Sequence, residues 1–149
     1  MIEEAKGNLL AAEVDALVNA VNTVGVMGKG LARAFAQHFP DNLEAYRQAC
    51  AAGSVTIGAM FVVDRAPASP RWIVNFPTKR HWRARSHLDD IRLGLVDLVA
   101  QVERRGIASI AIPALGCGLG GLDWAEVRPM IVGACAAIPT TRVLLFSPR

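Results

Sequence analysis

Two glycine clusters and one lysine in a basic, aromatic loop are the residues of this chain whose types and spacing suit chemistry. The first cluster lies in Asn22-Thr23-Val24-Gly25-Val26-Met27-Gly28-Lys29-Gly30 and the second in Pro113-Ala114-Leu115-Gly116-Cys117-Gly118-Leu119-Gly120-Gly121. Each follows a short apolar run and precedes a helical pattern. Glycine lets backbone N–H groups approach a ligand closely, and a helix start presents N–H groups without internal partners, so strand, glycine loop, helix is an order that cradles anions. Any single glycine here reads as an ordinary turn, but two loops in equivalent positions suit the clamping of one ligand.

The lysine is Lys79, followed by Arg80, His81, Trp82, Arg83 and Arg85 with no acidic residue between them. An aromatic face beside arginines suits stacked bases and phosphates, although the same loop also reads as a solvated surface with one aromatic tucked onto the body. Alone, Lys79 is an ordinary surface charge. An amine beside a scissile bond acts as a general acid when protonated or as a nucleophile when neutral, and desolvation together with Arg80 would lower its pKa. The residues leave both roles open. The sequence places no His, Asn or Asp partner for Cys117, which reads as a small buried thiol, and Lys29 reads equally as a phosphate neutraliser or a solvated helix-end residue.

The elements that position these residues follow from hydrophobic periodicity. Strands are expected at Met1–Lys6, Ala16–Ala20, Met60–Val63, Trp72–Phe76 (ended by Pro77), Ser109–Ile112 and Val143–Phe146. Gly7-Asn8-Leu9-Leu10 starts a short helical piece ending near Asp15. Leu31, Phe35 and Phe39 mark a helix ended by Pro40; Asp41 or Asn42 caps the next, which runs to about Ala52 before Gly53. Ser86 with Asp89 fits an N-cap for a helix whose stripe runs from Leu88 to Val102 and ends at Arg105-Gly106, and Asp123 and Glu126 begin a last helix through Ala137. Strands alternating with helices imply a three-layer α/β/α sandwich with ligand loops at the carboxyl ends of the strands.

At 149 residues and 52% hydrophobic, the chain suits one domain over residues 1–149. A longer natural protein cut at this boundary would read the same. The start is amphipathic and acidic, unlike a signal peptide, and no stretch suits a membrane span, so a cytosolic protein without a membrane partner is expected. Three widely spaced cysteines imply neither a disulfide framework nor a metal site. The net charge of +3 is too mild to establish a nucleic-acid partner by itself.

Val18-Asn19-Ala20-Val21-Asn22-Thr23, with the glycine loop and helix after it, resembles the Asn-Ala-Ala-Asn segment of macrodomains, the ADP-ribose-binding fold. Ala111-Ile112-Pro113-Ala114-Leu115-Gly116-Cys117-Gly118 resembles their second phosphate loop, and the similarity spans essentially the whole chain. Within the family, Gly25 to Gly30 together with Asn75-Phe76-Pro77-Thr78-Lys79-Arg80-His81-Trp82-Arg83 is similar to the DarG antitoxin branch. That resemblance implies a macrodomain, with a central mixed sheet, that removes ADP-ribose from thymidine in single-stranded DNA and so reverses a DarT toxin.

It implies Lys79 and Asn22 as catalytic residues, Asn22 orienting the distal ribose. ADP-ribose would lie against Asn8, Leu9, Asn19, Thr23, Gly25, Val26, Met27, Gly28, Gly30, Pro113, Leu115, Gly116, Cys117, Gly118, Leu119, Gly120 and Gly121, and the DNA against Arg80, His81, Trp82, Arg83 and Arg85. Asn19 also reads as a tie between buried backbone groups. Asn8 stands where many macrodomains carry Asp to accept from the adenine amino group, and its amide oxygen still accepts. The implied partners are ADP-ribose, ADP-ribosylated single-stranded DNA and a cognate DarT toxin, with a monomeric protein and no cofactor. A related branch acts on ADP-ribosylated glutamate with a lysine matching Lys79 and an aspartate that falls opposite Gly120, where this sequence departs from it. A non-catalytic ADP-ribose reader would need the glycine loops but not Lys79.

Overall fold

The computed structural model describes residues 1–148. In chain order the strands are β1 (Ile2–Ala5), β2 (Ala16–Asn22), β3 (Phe61–Asp64), β4 (Trp72–Lys79), β5 (Ser109–Ile112) and β6 (Arg142–Phe146). The helices are α1 (Gly30–His38), α2 (Pro40–Ala51), α3 (Leu88–Arg105) and α4 (Trp124–Cys135), and Leu9–Ala11 forms a 3-10 turn. The strands make one mixed sheet in the order β1-β6-β5-β2-β4-β3, in which β3 runs antiparallel to β4 and the other pairings are parallel.

The alternation of side chains along the strands divides the core into two layers. Ala16 and Val18 of β2, Val74 and Phe76 of β4 and Ile110 and Ile112 of β5 face α3 and α4, where Ile91, Leu95, Val127 and Ile131 meet them. Leu17, Ile73 and Ala111 point the other way, toward Phe35 of α1 and Phe39, while Val21 packs with Met27 and Tyr46 of α2. The result is the expected three-layer sandwich.

Local departures from the sequence expectation have physical reasons. The short helical piece after β1 is only the turn at Leu9–Ala11, capped by the Asn8 side chain. Helix α2 begins at Pro40, whose fixed φ and missing N–H suit the first helical position, and the expected cap Asn42 is instead fully buried against Asn75. Ser86 does not cap α3; it is drawn away into the second glycine loop, while Asp89 and Asp90 supply negative charge to the first turn. Gly106 ends α3 in the left-handed conformation at φ 62°. Helix α4 stops at Cys135, two residues before the expected end.

Two strand extensions matter for function. β2 runs on to Asn22, and β4 continues through Pro77 to Lys79. Proline is tolerated there because the β3 pairing stops at Asn75, so one side of that stretch has no strand partner. Phe76 is fully buried and its ring presses on Gly94 of α3, where an added Cβ would lie 2.3 Å from the ring. Gly94→Ala would gain helix propensity, but overpacking of an immobile ring outweighs it by about 2 kcal/mol. Thermal unfolding of Gly94→Ala is therefore expected roughly 5 °C below wild type; an equal or higher midpoint would contradict this packing.

Candidate functional site

Because β1, β6, β5, β2 and β4 are parallel, the segments that follow β1, β5, β2 and β4 emerge along one edge of the sheet. Asn8 and Leu9, both glycine loops and the Lys79 loop are thereby brought together. Between β5 and β2 the chain leaves toward opposite faces, to α4 and to α1, which is where open α/β sheets form a crevice.

The β2–α1 loop is organised by Asn22, which is 7% exposed. Its amide oxygen accepts from Val24 N–H at 3.0 Å, Val26 N–H at 3.4 Å and the Tyr46 hydroxyl at 2.8 Å, and its Nδ2 donates to the Val26 carbonyl at 2.8 Å. One Nδ2 hydrogen remains for another acceptor. Gly25 bends the loop at φ 91° with Cys50 close beneath it, and Gly30 opens α1 at φ 59°. Gly28 keeps a negative-φ or extended backbone, so the expected freedom is used at two of the three glycines. Asn19 sits below, donating to Met27 Sδ at 3.7 Å and to Asn75 at 3.4 Å. It ties buried side chains together.

Tyr46 is a residue that sequence reasoning missed. It is fully buried, and its one hydroxyl hydrogen is shared between the Asn22 amide oxygen and the Asn22 carbonyl, 2.7 Å away; burial pushes its pKa well above the usual phenol value, so it stays a neutral donor. It is the sole tyrosine of the chain, but only the packing of α2 reveals its target. Tyr46→Phe removes both bonds and is expected to cost about 1–2 kcal/mol of stability and to release Asn22 from one orientation. Unchanged thermal unfolding would contradict this role.

Lys79 lies beside Asn22 in the β2–β4 register, just past an irregularity at Val21/Asn22. Its Nζ donates to the Trp82 carbonyl at 3.3 Å, and partial burial lowers its pKa below the ordinary 10.5. Arg80 contributes nothing to that shift, contrary to expectation, because its guanidinium is turned away into a bidentate pair with the buried Asp90. Trp82 is 42% exposed, with the Arg83 guanidinium 4.5 Å over its ring and the His81 ring 5.2 Å away. His81 Nδ1 accepts from Arg83 N–H at 3.1 Å. Arg85 reaches the Gly121 carbonyl at 3.4 Å rather than extending beside Trp82.

The second glycine loop is an arch closed by Cys117 N–H to Ala114 O, Gly121 N–H to Gly118 O and Leu122 N–H to Gly116 O. The N–H groups of Gly118, Leu119 and Gly120 have no acceptor among the described residues. Such a run of free donors binds anions. Pro113 and the fully buried Leu115 form its foot, and Leu119 is exposed at its tip, 3.7 Å from where a Cβ on Gly30 would lie, so the two loops meet. The Cys117 thiol, pushed up to about 11 by burial and Asp123, is neutral at physiological pH and a poor nucleophile. Asn8, three residues past β1, spends its amide oxygen on Leu10 N–H at 3.1 Å, leaving its Nδ2 free. Among the described residues no helix is long and apolar enough to cross a membrane, and no His, Cys, Asp or Glu cluster could hold a metal ion.

This sandwich, with two glycine loops and an asparagine at one sheet edge, is that of a macrodomain: the Macro domain model matches residues 18–131, and the chain belongs to that family. It is 51% identical over 149 residues to a DNA ADP-ribosyl glycohydrolase of Thermus aquaticus and 48% identical to one of Mycobacterium tuberculosis, covering 99% of this chain and 41% and 42% of theirs. The chain thus spans about two fifths of the length of these curated relatives. The macrodomain of Mycobacterium tuberculosis DarG superposes with a TM-score of 0.98 at 48% identity, covering 100% of this chain and 99% of that one. Thermosipho africanus DarTG, solved in complex with ADP-ribose, superposes with a TM-score of 0.93 at 34% identity over 99% of this chain and 41% of that one.

Proposed function

We propose that this chain is a DNA ADP-ribosyl glycohydrolase that removes ADP-ribose from thymidine in single-stranded DNA, acting as a monomeric cytosolic antitoxin toward a DarT-type toxin. The observation that carries this reading is the side-by-side register of Asn22 and Lys79 at a sheet edge flanked by two glycine loops. The diphosphate lies on the free N–H groups of Gly118, Leu119 and Gly120 and against the first glycine loop, Asn8 and Leu9 meet the adenine, and the remaining Nδ2 hydrogen of Asn22 holds a hydroxyl of the distal ribose. Its anomeric carbon then faces Lys79, and the bases flanking the modified thymidine pack along Trp82 and Arg83.

We take Lys79 as the nucleophile: partial burial lowers its pKa and no carboxylate pairs with its amine, which enlarges the neutral fraction that role needs. Its lone pair attacks the anomeric carbon while the bond to the thymine nitrogen breaks, and that nitrogen keeps the electron pair and takes a proton. The ribose ring opens to an imine on Lys79, which water hydrolyses to free ADP-ribose and restore the amine. Positioning supplies much of the rate. Gly120 bears on the glutamate-directed alternative: the aspartate of that branch is missing at this position, and an added Cβ would lie 2.3 Å from Ser86 Oγ and 2.6 Å from the Gly116 carbonyl oxygen.

The test is release of ADP-ribose by the wild-type protein from a thymidine-modified single-stranded oligonucleotide, run beside a glutamate-modified protein. Release from the oligonucleotide alone is expected. Release from the protein alone would move the activity to carboxylate esters, and binding of ADP-ribose without release from either would make the chain a reader.

A further inference from the structure

The loop that follows Lys79 is fastened at both ends to the ligand loops. At its start the Thr23 hydroxyl donates to the Arg80 carbonyl at 2.8 Å, and at its end Ser86 N–H donates to the Gly120 carbonyl at 3.0 Å. Ser86 is 4% exposed, and its buried Oγ finds no hydrogen-bond partner. The hydroxyl fills the notch left by two glycines: an added Cβ on Gly120 would lie 2.3 Å from Oγ and 2.6 Å from the Gly116 carbonyl oxygen, and one on Gly116 would lie 3.3 Å from Oγ. A buried, unbonded hydroxyl is unfavourable, and alanine would keep the same Cβ and the same N–H bond without that penalty. Stability of the free protein therefore gives no reason for a serine. The same arch, however, holds the unsatisfied N–H groups of Gly118, Leu119 and Gly120.

We infer that Ser86 is a positioning residue whose hydroxyl closes onto the Gly116 carbonyl when a diphosphate engages the second glycine loop, so that ligand binding stiffens the arch and, through the Ser86–Gly120 bond, the Lys79 loop. This rests on the reading that the arch holds the diphosphate of ADP-ribose. A hydroxyl that gains its bond only in the complex strengthens binding without strengthening the free fold. Two loops of the site are thereby coupled through one small side chain.

Ser86→Ala tests this by thermal unfolding of the free protein and calorimetric titration with ADP-ribose. The free variant is expected to unfold at the wild-type temperature or above it, while its affinity for ADP-ribose falls about five- to tenfold, the worth of one hydrogen bond. In turnover of the modified oligonucleotide, KM rises more than kcat falls. A free variant that melts several degrees lower would show that the hydroxyl is already bonded and overturn the inference. So would an affinity unchanged from wild type, in a wild type that does bind. A wild type that does not bind ADP-ribose overturns the reading beneath it and this inference with it.

Discussion

Gly120→Ala is expected to bind ADP-ribose at least ~tenfold more weakly than wild type. The added Cβ would lie 2.3 Å from Ser86 Oγ and 2.6 Å from the Gly116 carbonyl oxygen. The Ser86 hydroxyl can turn aside, but Ser86 Cβ, 2.9 Å away, and the Gly116 carbonyl cannot yield cheaply: Ser86 N–H is bonded to the Gly120 carbonyl, and the Gly116 carbonyl already accepts from Leu122 N–H across the base of the arch. Overpacking such a turn costs about 1–3 kcal/mol, and relief comes by opening the arch, which misdirects the free N–H groups of Gly118, Leu119 and Gly120. Gly133→Ala in α4 is the control, because nothing lies within 4 Å of its added Cβ. Calorimetric titration with ADP-ribose decides it: an affinity in Gly120→Ala equal to that of Gly133→Ala would remove this loop from the diphosphate site.

The stripe from Leu88 to Val102 and the apolar runs at Ala16, Trp72 and Ser109 made the layers legible, because buried parallel strands and an amphipathic helix each impose a period on the sequence. The glycine loops were legible for a similar reason, since chain order alone puts each between a strand and a helix. What the sequence hid was tertiary. Pro77 reads as a stop, yet β4 passes through it because β3 has already ended, and only that extension sets Lys79 beside Asn22. Ser86 has the spacing of a helix cap but serves a loop more than thirty residues away, and Asn42 likewise leaves its helix end for Asn75. Nothing local in the sequence names the partners of Tyr46 and Asp90. Their partners, Asn22 and Arg80, come from other elements, and the cost of burying an unpaired polar group is what matches them.

Lys79→Ala is expected to lose at least ~100-fold in the rate of ADP-ribose release while the fold and the affinity for ADP-ribose persist. The side chain is partly exposed and its one hydrogen bond, to the Trp82 carbonyl, is weak at 3.3 Å, so truncation leaves the core untouched. The direction of its pKa also makes a pH prediction. A lowered value enlarges the neutral amine at a given pH, so a nucleophilic Lys79 gives a rate that climbs with pH through a midpoint below 10.5, whereas an acid would give a rate that falls. Borohydride added during turnover should trap the imine on wild type and not on the variant.

The measurement closest to the central claim is single-turnover release of ADP-ribose from a thymidine-modified single-stranded oligonucleotide by wild type and by Lys79→Ala, with ADP-ribose affinity titrated for both. Release by wild type is expected, with near-complete loss in the variant and matching affinities. Equal release by the two proteins would contradict it and return Lys79 to the status of a surface charge.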